Sequence, residues 1–100
     1  MAHHIIKLHI DAAGQIRTDP MPVVVAPGDT LAWTSDQGDV SVSFDDSPFD
    51  GDKRFAGQKG KHTTVAKVRS NAPRGKHFDC TAAIGGKGGS KVYGVDIEPN

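Results

Sequence analysis

Val40-Ser41-Val42-Ser43-Phe44 alternates apolar and hydroxyl side chains without a break. A period of two puts Val40, Val42 and Phe44 on one face of an extended segment, and Ser41 and Ser43 on the other. Short runs of the same kind flank it. Upstream, Leu31 and Trp33 share a face within Thr30–Thr34, and Gly28-Asp29 marks the turn before them. Pro22-Val23-Val24-Val25-Ala26-Pro27 reads as a short strand, and Ile6, Leu8 and Ile10 alternate with Ile5, Lys7 and His9 in a first strand. Asp11-Ala12-Ala13-Gly14 turns the chain. Downstream, residues 62–69 predict a strand with Thr64, Ala66 and Val68 on one side. Phe78 and Cys80 alternate with His77 and Asp79, and Tyr93, Val95 and Ile97 close the chain as a last strand. Residues 45–61 read as a long loop and residues 84–90 as a glycine-rich one.

Helix signals are scarce, with a single Glu and only two Leu in the chain. Seven short strands in 100 residues, bounded by Gly, Pro, Asp and Ser, predict an all-β Greek-key sandwich formed as one domain over residues 1–100. A chain of this size can bury one core without disulfides. With one cysteine, Cys80, no intrachain disulfide exists, which excludes a disulfide-stapled scaffold. No apolar run has the ~18–20 residues a membrane-spanning helix needs, so no membrane partner is expected. The start of the chain has no signal-peptide stretch. A complete chain is therefore expected in the cytoplasm, and one from which a signal peptide has been removed in the periplasm.

Twelve Lys and Arg balance twelve Asp and Glu, which disfavours nucleic acid as a partner. The charge is nevertheless segregated. Residues 1–50 hold Lys7 and Arg17 against eight Asp, and residues 51–100 hold ten basic residues against four acids. Interleaving of the two halves is expected to neutralise these charges across strands.

Three runs carry a resemblance. Pro27-Gly28-Asp29-Thr30-Leu31-Ala32-Trp33 is similar to the Gly-Asp-Thr-Val-Thr-Trp segment of cupredoxins, the plastocyanin-type blue-copper family. Ser47-Pro48-Phe49-Asp50-Gly51 resembles that family's Phe-Asp-Ser-Gly loop. Pro73-Arg74-Gly75-Lys76-His77-Phe78-Asp79-Cys80 resembles the strand that delivers its copper thiolate. The resemblance implies a cupredoxin-like sandwich. A blue-copper site needs two imidazoles, a thiolate and a weak axial ligand. At the positions the resemblance makes equivalent stand Asp39 or Val40, Ala83 and Gly88, and no His follows residue 77. Only Cys80 remains, so no blue-copper centre and no cofactor are expected.

Other side chains offer narrower chemistry. Met1-Ala2-His3, or Ala2-His3-His4 after loss of Met1, has the amine, amides and third-position His of a square-planar Cu(II) or Ni(II) site. His3 and His4 are therefore the alternative metal ligands. His9, His62 and His77 show no ligand spacing and read as strand-surface residues. Asp45, Asp46, Asp50 and Asp52 read as a solvated turn rather than a calcium loop. Cys80 reads as a buried strand thiol, with His77 on the opposite face. Arg74, Lys76, Lys87 and Lys91, with Gly85–Ser90, are expected to form a basic rim at one end of the sandwich. No catalytic constellation is visible, so no enzyme is expected. The expectation is a non-enzymatic binding or accessory domain for a protein or small-molecule partner. Its alternatives are a copper-binding or electron-transfer protein with an atypical site, Cys80 plus His or the amine plus His3 and His4, and an immunoglobulin-like structural module.

Overall fold

A computed structural model describes residues 1–86 and 89–99. These residues form nine strands and no helix: β1 (His3–Ile10), β2 (Ile16–Asp19), β3 (Val24–Val25), β4 (Thr30–Thr34), β5 (Val40–Ser43), β6 (Arg54–Gly57), β7 (Ala66–Lys67), β8 (His77–Ile84) and β9 (Ser90–Ile97). One sheet has the order β2-β1-β4-β7 and the other β3-β9-β8-β5-β6. The chain is thus an all-β sandwich of two mixed sheets. β1 runs parallel to β4 and β3 parallel to β9, while the remaining pairs are antiparallel. With no helix among the described residues, none is long and apolar enough to cross a membrane.

The inner faces follow from the alternation. Ile6 and Leu8 of β1 and Leu31 and Trp33 of β4 meet Val40 and Val42 of β5 and Phe78, Cys80, Ala82 and Ile84 of β8 in one buried cluster. Trp33 is its centre. Its ring lies 5.5 Å from Phe55, and 5.9 Å from both Phe44 and Phe49, in tilted or edge-on geometry. Such aromatic pairs add to stability beyond the area they bury.

Local readings depart from the fold in four places. The predicted strand at 22–27 shortens to Val24–Val25, and that at 62–69 to Ala66–Lys67, with Thr63 buried and Thr64 exposed. Ile16–Asp19 forms an additional strand on the edge beside β1. Residues 45–61 are not one loop. Arg54–Gly57 pairs with β5, and Phe49 bridges to Val68.

A register shift interrupts β9. Phe78 pairs with Val95 and Cys80 with Val92, so Tyr93 and Gly94 together oppose Asp79. This bulge shifts the alternation by one residue. Tyr93 therefore does not share the inner face with Val95 and Ile97. It is half-buried on the outer face, and Val92 is buried instead. Glycine is required at 94 because a Cβ there would stand 2.0 Å from the Phe78 carbonyl oxygen.

Asp29 closes the start of the sandwich. Its side chain accepts the Ala26 amide at 2.9 Å and the Ala2 amide at 3.0 Å, and pairs with His4 Nε2 at 2.8 Å. Burial alone would raise its carboxyl pKa, but these hydrogen bonds outweigh it and hold the group below its ordinary value. Val24–Val25 is joined to the end of β9, so both ends of the described chain emerge at one pole.

Candidate functional site

The outer face of the five-stranded sheet is the side that the alternation leaves to water. β6 turns Phe55 inward and leaves Arg54 and Ala56 outside. β5 leaves Ser41 and Ser43 outside, and β8 leaves His77, Asp79, Thr81 and Ala83. Register then assembles rows across the strands. Arg54 pairs with Ser43, Ser43 with Thr81, and Thr81 with Lys91. The next row towards the β8–β9 turn is Ala56, Ser41 and Ala83.

Because that second row has little bulk, the face is recessed. A groove of about 720 Å³ lies over Ser41, Ser43, Ala56, Thr81 and Ala83, with Arg54 at its side, and it reaches Asp39 and Gly86 at the pole where β8 ends. This volume lies within the ~300–1,000 Å³ of ordinary ligand sites. Asp39 accepts the Lys59 amide at 2.8 Å. The lining offers hydroxyls, methyls, the Gln58 carboxamide, one guanidinium and one carboxylate.

Beyond the Arg54 row the same face turns acidic. A smaller recess of about 220 Å³ is bounded by Asp45, Asp46, His77, Phe78, Asp79 and Lys91. His77 sits between two carboxylates, with Nδ1 2.5 Å from Asp96 and Nε2 2.5 Å from Asp79. Partial burial would lower its pKa. The hydrogen bonds to Asp96 and Asp79 outweigh that loss and raise it above the usual imidazole value. The Tyr93 ring packs against His77 in a tilted pair with centres 4.3 Å apart, and its hydroxyl donates to Asp96. The bulge at Gly94 is what brings Tyr93 and Asp96 to this face.

The sequence candidates are distributed as follows. Cys80 is buried and faces the core, and desolvation, with a smaller contribution from the charge of Asp79, pushes its pKa up to about 12. Its group is therefore held as the neutral thiol, whereas nucleophilic attack needs a thiolate. Val40 pairs with Ile84, and the Gly85 amide donates to the Asp39 carbonyl. Cys80 lies four residues back along β8, roughly 13 Å at strand rise. Asp39 and Val40 therefore stand away from Cys80, Ala83 faces outward while Cys80 faces the core, and Gly88 lies outside the described residues. Among the described residues, no group of three or more His, Cys, Asp and Glu could hold a metal ion.

At the start of β1, His3 Nδ1 lies 2.6 Å from Thr30 Oγ1, and the Ala2 amide is donated to Asp29. A four-nitrogen metal site beginning at Met1 would have to deprotonate that amide, so it competes with the strand end. His9 is exposed on β1 and His62 between β6 and β7, so neither joins His77.

Three of the four residues of the expected basic rim fall among the described residues. Arg74, 3.8 Å from Glu98, and Lys76, 2.9 Å from Asp46 and 4.7 Å from the Phe78 ring centre, precede β8 at one pole. Lys91 stands on β9 opposite Thr81, in the middle of β8, and bounds the same recess as Asp46 and His77. Lys87 lies outside the described residues. Asp46 pairs with Lys76, while Asp50 engages Lys67 through its backbone amide. The latter two carboxylates, Asp50 and Asp52, remain exposed.

Arg54, Ser41, Ser43 and Thr81 were not picked out as site residues by sequence reasoning. The outward serines were visible in the alternation. Arg54 was hidden because its segment read as loop. Comparison of the chain with models of known families finds no match, and comparison with curated proteins finds no significant one.

Proposed function

We propose that this chain is a non-enzymatic binding domain on a copper-free cupredoxin-like Greek-key sandwich, with the outer-face groove as its contact surface for a small molecule. The observation that carries the reading is the groove: about 720 Å³, hydroxyl-lined and recessed on the outer face of the five-stranded sheet. Its lining suits hydrogen bonding and charge pairing with a ligand. It contains no imidazole or thiol to carry a proton or act as a nucleophile. The scaffold reading is supported by the parallel β1–β4 pair and by the Gly28–Trp33 run, which forms a turn and β4. Fold alone does not assign the ligand.

The test is amide NMR with neutral, cationic and anionic small-molecule probes, each titrated separately. Saturable shifts at Ser41, Ser43, Ala56, Thr81 and Ala83 with at least one class are expected. Failure of every class to move these amides would overturn the reading. A parallel Cu(II) titration should give no intense thiolate-to-copper band. Such a band, lost in Cys80→Ser, would restore electron transfer.

A further inference from the structure

Resting on the binding reading above, we infer that the groove takes an elongated organic anion, whose carboxylate or phosphate head seats against Arg54 over the hydroxyls of Ser43 and Thr81, with Lys91, which bounds the neighbouring acidic recess, at the other end of the row. The four residues occupy successive strands in one register row, and paired residues on neighbouring strands face the same side. Arg54, Thr81 and Lys91 are exposed, and Ser43 is half-exposed.

At ~4.8 Å per strand, the Arg54 and Lys91 backbones stand about 14 Å apart. The two short hydroxyl side chains between them leave space that Arg54 lines directly and that Lys91 can approach from the edge of the acidic recess. Among the described residues, neither Arg54 nor Lys91 forms an ion pair, whereas Arg17, Lys7, Lys76 and Arg74 each face a carboxylate. The guanidinium can take a carboxylate or phosphate through two parallel N–H donors, and Ser43 and Thr81 can donate from below.

The rest of the face sets the direction of the ligand. On one side of the row lie Asp45, Asp46 and Asp79, which repel a second anionic group. On the other, Ala56, Ser41 and Ala83 form an uncharged floor for the body of the molecule, ending near Asp39. Four residues of strand separate Ser43 from Asp39, or roughly 13 Å. The fit is therefore to a molecule with one anionic end, a narrow polar body and a neutral or cationic far end. The groove lining has no aromatic side chain on which a flat ring would stack.

The experiment titrates full-length protein with glutarate, glycerol phosphate and glutaramide, followed by amide NMR. Saturable shifts at Ser43 and Thr81 are expected with at least one of the two anions. The tighter of the two distinguishes a carboxylate from a phosphoryl head. Glutaramide, uncharged and of similar length, is expected to leave both amides in place. Arg54→Gln should weaken the anion at least tenfold, and Arg54→Lys should fall between it and the unsubstituted chain. Both variants change an exposed side chain, and retained amide dispersion would verify their fold. The inference is overturned if Arg54→Gln binds as tightly, if shifts follow every surface lysine alike, or if neither anion moves the row. It is also overturned if glutaramide moves the row equally. In that last case the groove still binds ligands, and only the anionic assignment fails.

Discussion

At the scale of single residues, burial and hydrogen bonding decide which polar groups are chemically available. Thr18 is the one buried side chain among the described residues whose oxygen finds no partner. Leaving a hydroxyl unpaired in an apolar setting costs about 1–3 kcal/mol. Thr18→Val keeps the branched shape and removes the orphan. It should raise stability by about 1 kcal/mol, read as a higher urea midpoint at unchanged slope. A lower midpoint would show that the hydroxyl has a partner in solution. His77 makes the opposite case, a ring satisfied on both sides. Its folded pKa lies above the ordinary value near 6.5, so protonation and folding favour each other. Its contribution is fully present below the unfolded pKa and is lost as pH rises through the folded one. The stability gap between the unsubstituted protein and His77→Gln should be largest in mild acid and shrink on the alkaline side. A gap that stays constant from mild acid to alkali would refute the pairing.

At the scale of elements, the most informative feature is the bulge in β9. Placing an ideal Cβ on Gly94 brings it 2.0 Å from backbone, and the neighbouring strand has no flexible tip to move aside. Gly94→Ala should cost about 3 kcal/mol by overpacking. Gly14→Ala is the comparison. Gly14 has a φ of +81° and open space around it, so the cost there is conformational, about 1–2 kcal/mol. Equal losses at the two positions would mean that β8 and β9 can separate to admit the methyl.

The same element shows where the sequence was readable. Strands with unbroken alternation, such as Val40–Ser43 and Phe78–Ile84, carry their inward and outward faces in plain view. β9 does not, because one inserted residue reverses its phase, and that residue is recognisable only beside β8. β6 was hidden for a different reason. Arg54-Phe55-Ala56-Gly57 has one large apolar residue, too few to show a period, and its strand character comes from pairing with β5. The groove needs both strands, so its serines were legible and its arginine was not. Of the expected basic rim, Arg74 and Lys76 precede β8 and engage Glu98 and Asp46, while Lys91 lies opposite the middle of β8.

At the scale of the whole molecule, the two oppositely charged halves neutralise less directly than interleaving suggests. Among the described residues, Lys76–Asp46 is the ion pair that joins residues 1–50 to residues 51–100, and the other pairs stay within a half. The outer face consequently keeps a basic row beside an acidic recess, although the net charge of the chain is zero. Local fields of this kind guide a charged ligand more than net charge does.

The knot around Asp29 has a practical corollary. Ala2 and the last residues of β9 leave the sandwich at the same pole, beside Ala26 and Val25. The groove opens towards Gly86, at the far end of a molecule 36 Å long. A tether attached to either terminus would therefore anchor the sandwich with its recessed face held away from the support. Immobilised chains would stand as an oriented layer rather than a random one, with every groove presented to the solution.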